Sequence, residues 1–125
     1  MWLSVKVPKG VYDLAEQERI MNAVDTTASD HLQARMRKPG VPVREIHLME
    51  TNRPQNDRTI YVTYMNDLKI ENESAMQFVN AFLSDCADAV IAALGRTECA
   101  VVASTTLLEG GPRHERACVK QEAVA

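Results

Sequence analysis

Lys6, Glu45, His47 and Tyr61 sit in short strand-like runs, and each could bind an anion or move a proton. Glu45 and His47, in VPVREIHLME, are two residues apart, so in an extended chain their side chains leave the same face. A carboxylate beside an imidazole favours its protonated form and can make an acid/base pair. The same two groups can equally line a polar subunit interface, hydrogen-bonded and chemically idle. Arg44, one residue earlier, could pair with a substrate carboxylate through its planar fork. It could also be a strand-end arginine in water, or paired with Glu45 or Glu50 of a neighbour. Trp2 and Tyr61 add aromatic surface on which a substrate could rest. His31 reads as a helix-flank residue, and His114, among Arg113, Glu115 and Arg116, as solvent-exposed. No pair of histidines or cysteines has metal-ligand spacing, so no metal site is expected. No P-loop, GxGxxG, HExxH or GxSxG occurs, and no cofactor is expected.

The elements that would position these groups follow from periodicity. WLSVKV alternates, with Leu3, Val5 and Val7 on one face and Trp2, Ser4 and Lys6 on the other. After Pro8 and Gly10, Asp13 and Glu16 form a plausible capping box for a long helix. Its expected apolar stripe is Leu14, Met21, Val24, Ala28 and Leu32. Arg35, Arg37 and Lys38 complement its carbonyl end, and Pro39-Gly40 stop it. A strand from Val43 to about Met49, a TNRPQND loop and an alternating strand from Thr59 to Met65 come next. Asn72 is a fair N-cap for a second helix, broadly apolar through Met76, Val79, Phe82, Leu83, Cys86, Val90 and Leu94, and Gly95 is placed to end it. ECAVVASTTLL is small or apolar on both faces, as in a strand covered on both sides. Gly110-Gly111-Pro112 breaks it.

The order is β-α-β, linker, β-α-β, an internal repeat. We expect a single α+β domain over residues 1–112 and a polar C-terminal arm over 113–125. Two helices cover only one face of a four-stranded mixed sheet, giving a two-layer sandwich. The other face would carry Trp2, Ser4, Lys6, Glu45, His47, Tyr61 and Thr63. Self-association of the sheets, as a dimer or ring, is the economical way to cover it.

Composition narrows the function classes. At 125 residues the chain can bury one core, and 46% apolar with 25% charged residues suits a globular domain. A net charge of −3 without a basic stripe argues against nucleic acid. Sheet-surface aromatics invite comparison with RNA-binding sheets, but the accompanying signature is absent. We expect no membrane span, since no run approaches the ~18 apolar residues one needs, and no signal peptide. Cys86, Cys99 and Cys118 form neither a disulfide framework nor a zinc pattern, so three incidental thiols in a reducing cytoplasm are expected.

Several of these runs resemble the 4-oxalocrotonate tautomerase family. Glu16-Gln17, Val24 and Leu32 fall where that family's first helix places the same residue types. VPVREIHLME is similar to its second strand, which also opens on Val-Arg and alternates to a glutamate. TIYVTY through ECAVVASTT to Gly110-Gly111 resembles a second copy, so the likeness covers about residues 2–111 as two fused units. The resemblance implies parallel strands within each unit, antiparallel pairing of the first and third strands, and sheets packed inward around a threefold axis as a homotrimer. It also implies that Arg44 would bind a substrate carboxylate. The family's base is an N-terminal proline, whose secondary amine moves a proton between carbon and oxygen of an enol or α-keto acid. Here position 2 is Trp2 and the second repeat opens on Thr59.

Three readings stay open. The first is a tautomerase-like enzyme or binder for a carboxylate-bearing enol, keto or unsaturated acid at a subunit interface. Arg44, Trp2 and Tyr61 would contact substrate, and Lys6, His47 or the amino terminus would supply acid/base chemistry. The second is a non-catalytic oligomer that keeps the fold and binds a ligand or a protein. The third is a ferredoxin-like interaction domain, with the third strand between the first and second.

Overall fold

The computed structural model describes residues 2–36, 45–54, 57–65, 73–95, 98–106 and 113–117; of Trp2, Met65, 32–36 and 73–76 it describes the backbone alone. The elements are β1 (Trp2–Pro8), α1 (Leu14–Met36), β2 (Glu45–Thr51), β3 (Thr59–Met65), α2 (Glu73–Leu94), β4 (Ala100–Thr105) and β5 (Arg113–Ala117). The sheet order is β2-β1-β3-β4-β5. β1 pairs with β2 in parallel, β3 with β4 in parallel, and β1 with β3 antiparallel, Lys6 facing Tyr61. Because β1 lies between β2 and β3, the ferredoxin-like alternative is excluded.

The sheet has five strands where four were expected. Arg113–Ala117, the start of the expected arm, runs antiparallel to β4. Its alternation turns His114 and Arg116 toward α2, where His114 Nε2 lies 2.8 Å from Asn80 Oδ1 and Arg116 Nε donates to Asp88 Oδ1 at 2.8 Å. His114 is therefore half-buried rather than solvated.

Leu3, Val5, Val7, Ile60, Val62, Val101 and Ala103 point from the sheet into one core. From α1 it receives Ile20, Val24 and Ala28, and from α2 Val79, Phe82, Leu83, Cys86 and Val90. Both helices thus pack on one face. The stretch Gln77–Leu94 is long and apolar enough to cross a membrane by length and composition; here its apolar side is the core side of α2. The capping box forms as expected, with Glu16 N donating to Asp13 Oδ1 at 2.8 Å and Asp13 N to Glu16 Oε1 at 3.2 Å. That geometry turns Leu14 outward, 81% exposed, so the stripe on α1 starts at Ile20. Gln17 takes the inward position instead, and its Nε2 donates to Tyr12 O and Glu50 Oε1. Gly95 follows α2 with φ of 61°, the left-handed turn that glycine makes without a Cβ clash.

One of the described cysteines differs from expectation. Cys86 is a free, buried thiol, raised to about 12 chiefly by desolvation, with Asp85 adding to it. Cys99 is disulfide-bonded.

Candidate functional site

The sheet face away from the helices carries Ser4 and Lys6 of β1, Glu45, His47, Met49 and Thr51 of β2, and Tyr61 and Thr63 of β3. Strand alternation puts them there, opposite the buried Leu3, Val5, Ile60 and Val62. Lys6, Thr51, Asn52, Arg53, Tyr61 and Thr63 enclose a depression of about 310 Å³ on this face. Two expected site residues, Lys6 and Tyr61, are thereby brought together.

Arg53 shapes that depression. Its guanidinium lies 4.6 Å from the centre of the Tyr61 ring. Nε donates to Thr51 Oγ1 at 2.8 Å, Nη1 to the Thr59 carbonyl, and Nη2 to the Lys6 carbonyl at 3.3 Å. Asp57 Oδ2 sits 3.6 Å from Nη1. One side chain, 10% exposed, therefore ties β2, β1 and β3 together at the end of the sheet where the second repeat begins. Its Nε and Nη1 are engaged within the chain and Nη2 has one N–H left, so it cannot offer the full bidentate fork to a ligand. Lys6, exposed beside it, is the cation directed to solvent.

Thr59 opens the second repeat as Trp2 opens the first. Its nitrogen is a peptide amide donating to Asp57 Oδ1 at 2.9 Å, so this end of the sheet supplies no free backbone amine. The Asp57 carboxyl is held below its ordinary range, first by that amide bond and then by the Thr59 hydroxyl, with Arg53 adding attraction against a modest desolvation cost.

The other expected residues are distributed differently. His47 lies on β2 opposite Ser4, outside the lining of the depression. Its Nε2 is 3.4 Å from Glu45 Oε2, both side chains being more than half exposed, so the two project together as their spacing implies. Arg44 and the Trp2 side chain lie outside the described residues. His31 bridges the helices instead of facing the sheet, with Nε2 2.8 Å from Asp85 Oδ2 and its ring edge-on to Phe82. Arg53 was missed because TNRPQND reads as turn formers; an arginine two residues past the end of a strand was the available signal.

A second depression, about 400 Å³, lies beyond Tyr61 and is lined by Thr59, Ala100, Val102, Arg113, Glu115 and Ala117 among others. Arg113 Nε donates to Glu115 Oε1 across it at 2.9 Å. On the same open face the Ser4 hydroxyl is buried, its residue 4% exposed, without a hydrogen-bond partner among the described residues.

These features define a two-layer α+β fold built from paired β-α-β units, the tautomerase-like architecture. No protein-family model and no curated protein sequence matches the chain. Among solved structures it is similar to one described as "W0 fused 4-OT wild type symmetric trimer", with a TM-score of 0.57 and 13% identity over 84% of each chain. At that identity the likeness establishes the fold.

Proposed function

We propose that the protein binds a small carboxylate-bearing enol, keto or unsaturated acid in the Lys6–Tyr61 depression, with proton transfer on that ligand as its chemistry. One observation carries the reading. Lys6 and Tyr61, opposite each other on β1 and β3, line a single depression whose walls are fixed by a guanidinium already engaged with three strands. The Lys6 ammonium would pair with the carboxylate, and the Tyr61 hydroxyl would face the enol or keto oxygen, where a donor stabilises developing negative charge. His47 and Glu45, one strand away, would reach such a ligand from its far side or from a neighbouring protomer.

The proposal includes self-association through the open face. The similar solved structure is described as a symmetric trimer. On this chain, Met49 is an exposed apolar side chain on the same face. A homotrimer would cover it and close the depression against water.

A second reading, a binder without catalysis, is favoured by a specific observation: neither repeat opens on proline, and the Thr59 nitrogen is a bonded amide. One assay separates the two. Ketonisation of an enolised 2-oxo acid, followed by ultraviolet absorbance, should be faster than buffer with the wild-type protein and at least ~10-fold slower with Lys6→Ala, the loss expected when one charged contact goes. Arg44→Ala in the same assay tests the residue named by the family resemblance. A wild-type rate equal to buffer, with the acid still bound, would select the second reading.

A further inference from the structure

The open face carries a row that runs across the strands rather than along them. Strand pairing sets Lys6 opposite Tyr61, Tyr61 opposite Val102 and Val102 opposite Glu115, so β1, β3, β4 and β5 each place one residue in line. Opposed residues send their side chains to the same face, and the row reads ammonium, phenol, isopropyl, carboxylate. Its two halves are the two depressions of this face, and Tyr61 walls both. Neighbouring strands lie about 4.8 Å apart, so Val102 is about 10 Å and Glu115 about 14 Å from Lys6 along the row, backbone to backbone.

The two ends differ in charge. At the first, the Lys6 side chain is exposed, while the Arg53 guanidinium is spent on Thr51 and on the carbonyls of Thr59 and Lys6. At the second, Arg113 Nε donates to Glu115 Oε1 at 2.9 Å, so the two charges cancel. Arg116, on the same strand, turns to α2 and pairs with Asp88. Among the described residues, the row therefore offers one uncompensated cation, then an aromatic ring and a valine with Ala100 and Ala117 beside it.

We propose that the ligand is a monocarboxylic acid whose apolar tail crosses Tyr61 and lies on Val102, and that Glu115 rejects a second carboxylate at the end of that tail. Such a ligand presupposes the carboxylate site at Lys6 and fixes the rest of the molecule. An extended chain of eight carbons spans about 9 Å at ordinary bond lengths, which matches the distance from Lys6 to Val102. Each methylene taken out of water along the way tightens binding about fourfold. A second carboxylate at the far end would lose water and meet Glu115. Arg113 could answer it only by giving up that partner, which leaves one negative charge unpaired in either case.

Calorimetric titration of the full-length protein with pyruvate, 2-oxooctanoate and 2-oxooctanedioate tests this. The three acids share the 2-oxo carboxylate and differ in tail and in charge. 2-Oxooctanoate should bind at least ~10-fold more tightly than pyruvate, as burial of about two methylenes requires. In ¹⁵N spectra it should also move the amides of residues 101–103, which pyruvate should not. The diacid should bind at least ~5-fold more weakly than 2-oxooctanoate, because like charges are brought together. Glu115→Gln should bring the diacid level with the monoacid or above it. Val102→Thr, which exchanges a methyl for a hydroxyl in the same shape, should narrow the gap between 2-oxooctanoate and pyruvate. Equal binding of pyruvate and 2-oxooctanoate would overturn the tail subsite and leave the Lys6 site standing. A diacid that binds the wild type as tightly as the monoacid, or a preference unmoved by Glu115→Gln, would overturn the role of Glu115. Failure of all three acids to bind would overturn the Lys6–Tyr61 site itself, and the tail subsite with it.

Discussion

Replacing Arg53 should weaken the fold at the place where the candidate site is built. Arg53→Ala removes three hydrogen bonds from a charged donor, to Thr51 Oγ1 and the carbonyls of Thr59 and Lys6, and the contact over Tyr61. Deleting one charged hydrogen bond typically costs about 1.5–3 kcal/mol, and a partly buried cation–ring contact about 1 kcal/mol. These contributions share one side chain and do not add, and the exposed carbonyl of Lys6 regains water, so about 3 kcal/mol is the expected loss. Arg53→Lys keeps the charge, but one nitrogen cannot reach three strands, and about 2 kcal/mol should still be lost. Urea unfolding followed by circular dichroism, at fixed protomer concentration, reads this directly. With a slope near ~2 kcal/mol/M the midpoint should fall by about 1.5 M for alanine and about 1 M for lysine. A lysine variant equal to wild type, or an alanine midpoint within about 0.3 M of it, would refute the three-strand clamp.

Further outcomes follow from the same packing. Asp57 is ionised more readily folded than unfolded, so its contribution is present above the ordinary carboxylate range and is lost as pH falls through the lowered folded value. Asp57→Asn should therefore be less stable than wild type at pH 7, with the gap closing in acid; a constant gap on acid titration would contradict this. Asp13→Ala should cost about 1 kcal/mol through the lost cap, while Leu14→Glu, at an exposed position, should stay within about 0.5 kcal/mol in the same denaturation assay. Phe82→Ala should cost about 3–5 kcal/mol, since the ring is fully buried between the sheet and both helices. Native Cys86 should resist alkylation over hours at pH 8 and react on unfolding, because burial keeps it protonated.

Much of the fold was legible in the chain because its signals are local. Asp13 and Glu16 cap α1 as their spacing implies, β3 spans Thr59–Met65 as its alternation implies, and Gly95 turns the chain after α2. The antiparallel β1–β3 pairing agrees with the family resemblance. What was illegible depends on partners distant in sequence. RHERA does not look like a strand; the β4 edge and the polar side of α2 make it one. Leu14 looks like a core residue, but the cap just before it sets which side of α1 faces in. Of the candidate site, Lys6 and Tyr61 followed from alternation, whereas Arg53 could not be placed without knowing that its loop folds back across three strand ends. His47 keeps its expected neighbour Glu45 but lies outside the depression.

The most direct test is where a ligand lands. Titrating the ¹⁵N-labelled protein with a simple 2-oxo acid and following amide shifts should perturb Lys6, Asn52, Arg53, Tyr61 and Thr63 together, saturably, and Lys6→Ala should abolish the response. Perturbations confined to the opposite end of β1, around Trp2, or unchanged by Lys6→Ala, would contradict a carboxylate site in the Lys6–Tyr61 depression.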